Sequence, residues 1–239
     1  SVSVGKSVNM TGAAVTLRAT SNAMVDANIA VLAGALFTSG RTDACVTVAD
    51  SVYTSVGESA NLTANGQSNG SVVIEAVQNV DVTLYSSTQV VGLFAEGNAV
   101  STATIVAEVA TEIGRSAAIT AADTLTVQAL SNKRKADVRS LIIVDAFGGG
   151  VSKAQLTTNS TAWVHVADGA KLAAPIVVLG AVQSSVAPYA LRTWANSAGI
   201  GGIGSSRYPI NSLIENTMLT VDTNAVIRVP QKLTVKVKA

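Results

Sequence analysis

The chain repeats itself with a period of about 55 residues, and self-similarity at a fixed period is the signature of a repeat architecture. No other feature constrains the fold as strongly. Glycines, and one asparagine in the fifth place, mark the period: Gly5, Gly57, Gly114, Gly169 and Asn224. Four alanines recur independently at nearly the same period: Ala19, Ala76, Ala129 and Ala181. The markers divide the chain into four repeats and a partial fifth, at about 5–56, 57–113, 114–168, 169–223 and 224–239.

Each repeat contains an alternating segment that is typical of a β-strand. The four full copies are VTLRATSN (15–22), VVIEAVQN (72–79), LTVQALSN (125–132) and VVLGAVQS (177–184). Side chains of a strand point alternately to opposite faces, so Val15, Leu17 and Ala19 share one face of the first copy. The same order of large, large and small residues recurs in the other copies. Equivalent residues that stack in columns indicate a parallel β-solenoid.

These patterns predict that residues 1–239 form one all-β domain, a right-handed parallel β-helix. A typical coil of about 20–28 residues fits twice into the period. We therefore expect two coils per repeat, about nine coils in all, and a rod of roughly 40 Å at ~4.8 Å per coil. Glycine-rich blocks at 34–40, 91–97, 145–150 and 198–204 are expected to be turns, with positive φ angles in 147–153 and 199–206.

Three other architectures fit the sequence less well. A β-propeller also repeats at about 40–50 residues, but its blades usually carry aromatic signatures, and four and a third blades do not close a ring. A β-sandwich needs hairpin turns such as Asn-Gly, and the two Asn-Gly pairs, at 65–66 and 69–70, lie in one insertion. Helical solenoids conflict with the many Thr and Val residues of the repeat, which favour strands.

Composition excludes several classes of function. The net charge of +1 gives no electrostatic argument for a nucleic-acid partner. Cys45 is the only cysteine and His165 the only histidine, which excludes intrachain disulfides, thiolate clusters, catalytic triads and multi-histidine metal sites. Cys45 is expected to be a small buried side chain. No apolar run approaches the ~18–20 residues of a membrane span, so we expect no membrane insertion.

The segment VGKS (4–7) ends as a phosphate-binding loop ends, but the rest of that motif is missing. The motif needs another glycine five residues before Gly5 and a helix after it. No residue stands at the first position, and the sequence after Ser7 is rich in β-branched residues. Lys6 therefore occupies a variable position of the repeat, and we predict no cofactor.

The succession of GxSxxxTA, LTVxAxSN, a glycine-rich turn and TAxVxVAD resembles the repeat arrays of very large secreted or surface-attached bacterial β-helix proteins. Filamentous-haemagglutinin-like adhesins and autotransporter passengers are among them. The resemblance covers nearly the whole chain and includes no catalytic signature. It implies a structural or adhesive module at the cell surface, as a segment of a longer protein or a subunit of a filament.

A carbohydrate-active enzyme, either a polysaccharide lyase or a glycoside hydrolase, is the alternative. Glycoside hydrolases place two carboxylates about 5–10 Å apart in a groove, so convergence of Asp26, Asp123, Asp137 and Asp145 on one cleft would favour this reading. The acidic residues are thinly spread, and the glycine-rich segments lack the aspartates of calcium-binding β-rolls. We therefore predict no enzyme activity, no catalytic residues and no metal ligands.

Two expectations concern the surface. Asn-x-Ser/Thr sequons make four asparagines candidates for glycosylation: Asn9, Asn61, Asn69 and Asn159. The chain has no initiator Met, opens within a repeat and closes on the strand LTVKVKA (233–239), so we expect it to stack end to end or to continue as a longer solenoid. Outward apolar residues suggest lateral neighbours: Val73, Val77, Leu130, Val178 and Val182.

Overall fold

The computed structural model describes residues 1–66, 70–183, 190–197, 203–206 and 210–238. These residues form strands joined by turns and contain no helix, so the all-β prediction is confirmed. The strands of the first two circuits are β1 (Val2–Val4), β2 (Asn9–Gly12), β3 (Val15–Gly34), β4 (Phe37–Val56), β5 (Asn61–Ala64) and β6 (Val72–Ile113). The later strands are β7 (Ala118–Ala121), β8 (Thr124–Val166), β9 (Lys171–Ala173), β10 (Ile176–Gln183), β11 (Ala190–Ser197), β12 (Ile203–Ser206), β13 (Ile210–Val221), β14 (Val226–Arg228) and β15 (Lys232–Lys238).

Every strand pair in the described residues is parallel. The larger sheet follows the order β1-β4-β6-β8-β10-β15, with β3 paired to β6, and β11, β12 and β13 paired to β8. The smaller sheet, which we call the base sheet, follows the order β14-β9-β7-β5-β2. Neighbouring strands therefore belong to successive repeats, as a parallel repeat architecture requires.

One circuit of the chain uses a whole period, so the prediction of two coils per repeat is wrong. Val15 pairs with Val72, its equivalent in the next repeat, and Val72 pairs with Leu125, the equivalent one repeat later. The reason is the length of the strands: β3 and β4 have 20 residues each, or about 65 Å when extended. The expected nine short coils are replaced by about four broad circuits.

The 42 residues of β6 run outward and then fold back on themselves. Ser86 Oγ lies 2.7 Å from Ser101 Oγ, and Thr88 Oγ1 donates to the Asn98 carbonyl at 2.8 Å. The fold in the strand coincides with a shift of register between Val91 and Phe94. We call the first halves of β6 and β8, with β3, β10, β11 and β15, the outgoing layer, and the remaining strands of the larger sheet the return layer. The bend between them is the apex.

Three apolar clusters fill the space between the layers. The largest joins both layers to the base sheet, through residues such as Ile74, Ile113 and Leu172. A second cluster surrounds Leu84 and Ile105, and a third, near the apex, surrounds Val90, Ile142 and Val144. The base sheet therefore closes one end of a two-layer core that extends to the apex.

The predicted columns of equivalent residues are present in the outgoing layer. Ala19 pairs with Ala76, Ala76 with Ala129, and Ala129 with Ala181, and all four are buried. Stacking these columns removes their methyl groups from water at every level, which is the main favourable term in such a core.

In the first three repeats, the residue with a positive φ angle lies two positions after the glycine that marks the repeat. Positive φ angles of 54–69° occur at one corner in each circuit, at Ser7, Ser59, Ser116, Gly169 and Asn224. Gly114 is instead structurally equivalent to Ala167: the Gly114 amide donates to the Val56 carbonyl, and the Ala167 amide donates to the Ile113 carbonyl one circuit later. Only the second residue of this turn needs the left-handed region, which glycine and asparagine enter most readily.

The glycine-rich segment at 147–153 is strand, and the prediction of positive φ angles there is wrong. Gly40, Gly97, Gly150 and Gly204 instead form one column of the return layer. A Cβ atom on Gly97 would lie 2.7 Å from Ile142 Cδ1 and 3.2 Å from Val90 Cγ2. Close packing between the layers therefore requires these glycines. Residues 198–202 lie outside the described part of the chain.

Two further expectations about single residues are corrected. Cys45 is exposed, because it alternates with Ala44 and Val46, which face the core. The outward apolar stripe is mostly half-buried, and Val77 is 5% exposed, because its members cover one another within their columns. The stripe therefore gives little support to lateral packing.

Candidate functional surfaces

The sequon asparagines do not gather at one place. Asn9 and Asn61 are exposed neighbours in the base sheet, where they pair directly. Asn159 is exposed on β8, and Asn69 lies outside the described residues. Glycosylation of these residues stays a prediction.

The four aspartates that would mark a catalytic cleft do not converge. Asp26 and Asp137 lie in one column with Thr83 between them. Asp137 and Asp145 are eight residues apart on the same extended strand, or about 26 Å. Asp123 directly precedes β8 at the base, which places it still further from Asp137 along the same strand direction. Asp26 and Asp137, two strand spacings or about 10 Å apart, are therefore the one pair of the four within the range of glycoside-hydrolase carboxylates, and the absence of enzyme activity stays a prediction.

The single histidine bridges two carboxylates on the outer face of the return layer. His165 Nε2 lies 2.9 Å from Asp222 Oδ2, and His165 Nδ1 lies 3.7 Å from Glu112 Oε1. Tyr53 donates its hydroxyl hydrogen to Glu112, and Trp163 donates to a second carboxylate at Glu108. The two histidine nitrogens point to opposite sides of the ring, so the carboxylates cannot share one metal ion with this ring. Among the described residues, no group of three or more His, Cys, Asp or Glu side chains could hold a metal ion.

Lys6 belongs to a column of alternating charges at the corner between the return layer and the base sheet. Its Nζ lies 2.8 Å from Glu58 Oε2. Arg115 and Asp168 are the next members of the column, because the Ser59 amide donates to the Arg115 carbonyl and the Ser116 amide donates to the Asp168 carbonyl. The hydrogen bond and the charge of Lys6, and to a smaller extent Arg115, lower the pKa of Glu58. The residue that resembled a phosphate ligand therefore links successive circuits.

Aromatic residues form a ladder on the return side of the apex. Phe37 stacks on Phe94 with ring centroids 5.2 Å apart, and Phe94 contacts Phe147 at 6.5 Å. All three rings are exposed, and Leu36 and Leu93 beside them are exposed as well. Parallel in-register pairing places identical residues next to each other, which explains the ladder.

A groove with mixed aromatic and polar walls crosses the outer face of the outgoing layer. It encloses about 570 Å³ and is lined by Asn28, Tyr85, Arg139, Leu141, Trp194 and Asn196, with Asp26 and Thr83 at one end.

The guanidinium of Arg139 in this groove is held in place by Asp137. Arg139 Nε donates to Asp137 Oδ1 at 2.7 Å, and Nη2 donates to Oδ2. The hydrogen bond and the charge of Asp137 raise the pKa of Arg139. Arg192 pairs with Arg139 on the next strand, so two cations adjoin one carboxylate.

The strands at the two ends of the larger sheet each have one edge without a hydrogen-bonded neighbour among the described residues. β3 pairs only with β6, and β15 pairs only with β10, within the described residues. Core-facing residues of the last circuit are 41–53% exposed: Leu213, Val221, Leu233, Val235 and Val237. Their equivalents one circuit earlier, such as Val177 and Leu179, are at most 1% exposed.

The fold defines this chain as an all-β protein built from long parallel strands. No protein-family model matches the chain, and no curated protein or solved structure matches it either. The described part of the chain has no helix that is long and apolar enough to cross a membrane.

The sequence did not single out the groove or the apex. Phe37, Phe94 and Phe147 recur at the repeat period, so the ladder could have been found by aligning the glycine-rich blocks. The groove has no such signal, because Tyr85, Arg139 and Trp194 come from different columns or different repeats and meet only after the strands pair.

Proposed function

We propose that this chain is a structural and adhesive module, a right-handed parallel β-helix that forms part of an extracellular filament or a longer surface protein. The long parallel strands, the stacked columns and the core shared by three walls support a closed helix. Right-handed crossovers are the rule for parallel strands. The surface location rests on the resemblance of the repeat to bacterial adhesins and autotransporter passengers.

The observation that carries the proposal is the half-exposed core of the last circuit. Val235 lies in the same core column as Leu17, Ile74 and Leu179, yet it is 53% exposed. An unpaired strand edge beside an apolar surface is a template for another strand. A strand added along β15 would bury these side chains and pair the free backbone groups.

Association of the chain in solution tests this proposal. We expect sedimentation velocity to show assembly that grows with concentration, and electron microscopy to show linear filaments. Val235→Lys should suppress assembly, because it places a charge on the exposed end of the core. The matched control is Val106→Lys: Val106 is 45% exposed but lies on β6, which is paired on both sides.

A dispersed monomer at high concentration would contradict end-to-end assembly of this chain. Equal effects of Val235→Lys and Val106→Lys would show that assembly does not use the β15 edge.

A further inference from the structure

We propose that the groove on the outer face of the outgoing layer binds an acidic oligosaccharide: Arg139 in the groove and Arg192 beside it bind a sugar carboxylate, and Trp194 and Tyr85 stack against sugar rings. The inference gives the adhesive part of the proposed function a ligand. It does not depend on end-to-end assembly, because the groove lies on the side of the molecule.

The first argument is the unbalanced charge of the arginine pair. Arg139 and Arg192 are direct neighbours on adjacent strands, about 4.8 Å apart along the hydrogen-bonding direction. Like charges in directly opposite positions destabilise a sheet. Asp137 is hydrogen-bonded to Arg139, and its direct neighbour on the next strand is Ala190. Within the described residues, Arg192 has no carboxylate partner. A bound anion would balance the second charge.

The second argument is the prepared geometry of Arg139. Its Nε and Nη2 are both engaged by Asp137, so the guanidinium plane is fixed before a ligand arrives. A guanidinium carries five N–H donors and pairs with carboxylates in a defined planar geometry. Fixing one side of the group lowers the entropy lost when the remaining donors bind a ligand.

The third argument concerns the aromatic side chains. Trp194 is 39% exposed and pairs with Leu141 on the adjacent strand. Tyr85 lies two strands away, in the adjacent outward column, which is about 12 Å at ordinary strand spacings. Two flat apolar faces at this separation suit a ligand longer than one ring, because each ring of a sugar chain has an apolar face that can stack on an aromatic side chain.

The polar residues of the groove suit the hydroxyl groups of a saccharide. Asn28 and Asn196 offer both donors and acceptors, and Asp26 offers acceptors at one end of the groove. Sugar hydroxyls can donate to Asp26, whereas Asp26 repels any anionic group, so an acidic group of the ligand belongs at the arginine end of the groove. The groove therefore combines cations for one acidic group with neutral partners for hydroxyls.

Isothermal titration calorimetry tests the proposal with three probes: tri-galacturonate, the neutral trisaccharide galactotriose, and the single-stranded oligonucleotide (dT)10. We expect saturable 1:1 binding of tri-galacturonate that weakens with added salt, and at least tenfold weaker binding of the other two probes. Trp194→Ala and Arg192→Gln should each weaken the binding of tri-galacturonate about tenfold or more.

Arg41→Gln is the matched control, because Arg41 is an exposed arginine on the return layer, paired with Asp43. It should leave binding unchanged. Thermal unfolding of each variant checks that the fold is intact, and Trp194→Leu replaces Trp194→Ala if the latter does not fold.

The proposal is overturned if tri-galacturonate does not bind saturably, or if Trp194→Leu and Arg192→Gln bind it as the unchanged protein does. Equal affinity for galactotriose would refute the role of the arginines, and tighter binding of (dT)10 would assign the groove to nucleic acid. If the unchanged protein forms filaments normally but does not bind tri-galacturonate, this inference is contradicted and the structural role is left intact.

Discussion

Ile142 fills the space that a side chain on Gly150 would need, and the Gly97 carbonyl oxygen closes the same space from the neighbouring strand at 3.0 Å. We expect Gly150→Ala to lower the free energy of unfolding by about 1–3 kcal/mol, the usual cost of an overpacked core. Urea denaturation measures the effect. Gly34→Ala is the control: its Cβ would meet only the Val91 carbonyl at 3.7 Å, so the change should be neutral or slightly stabilising.

A double substitution tests the contact between Gly150 and Ile142. Ile142→Val removes one methyl group from the contact, so it should recover part of the loss when combined with Gly150→Ala. Strictly additive effects of the two substitutions would contradict the contact.

The buried hydroxyl layer between the second and third apolar clusters gives another prediction. Ser140 Oγ donates to the Ala99 carbonyl at 2.7 Å and lies 3.0 Å from Ser152 Oγ. Ser140→Ala should lower the free energy of unfolding by about 1–3 kcal/mol, because it leaves buried polar groups without a partner. Ser87→Ala, one residue beyond Ser86 on the outward face, should change it by less than about 0.5 kcal/mol. Equal losses would show that the hydroxyl layer has no special role.

The corner pair predicts a pH effect with a defined sign. Lys6 lowers the pKa of Glu58 below its ordinary value, so the pair contributes stability above the unfolded-state pKa of about 4.3. That contribution is lost as the pH falls through the lower, folded-state pKa.

A carboxyl titration followed by NMR measures this effect. Lys6→Met should raise the pKa of Glu58, and part of the lowering should remain because Arg115 also acts on it. Lys153→Met, far along the return layer, should leave the pKa unchanged. An unchanged pKa in Lys6→Met would refute the ion pair.

The salt dependence of assembly follows from the charges at the two open edges. Lys236 on β15 and Arg18 on β3 belong to one column, so head-to-tail stacking in register would place them side by side. Their repulsion is screened by salt, and we expect assembly to strengthen as ionic strength rises. Lys236→Glu should promote assembly at low salt, whereas Lys171→Glu on the base sheet should not. Sedimentation velocity between low and high salt measures both variants, and weaker assembly at high salt would contradict this register.

Particular residues show what could be predicted for the candidate sites. The sequence argues against a triad at His165 and a phosphate loop at Lys6, because one histidine and one short motif cannot supply the missing partners. The contacts they do make, with Asp222 and Glu58, each join residues that belong to successive circuits. Only the pairing register decides such contacts.

The sequence by itself determined the class of fold and the members of its columns. Alternating β-branched and small residues at a constant period favour parallel stacking, because equivalent positions then share one environment in every circuit. The pairing of Ala19, Ala76, Ala129 and Ala181 was therefore predictable.

Only the tertiary structure decided the length of a circuit and the surfaces it creates. Alternation continues through both halves of the 42-residue β6, and a period-two pattern does not show where a strand folds back. The fold near Val91 and Phe94 depends on close packing of Gly97 and Gly150 against Ile142. Strands that fold back at the apex pair with their equivalents one period later, and that pairing brings Tyr85, Arg139 and Trp194 to one groove.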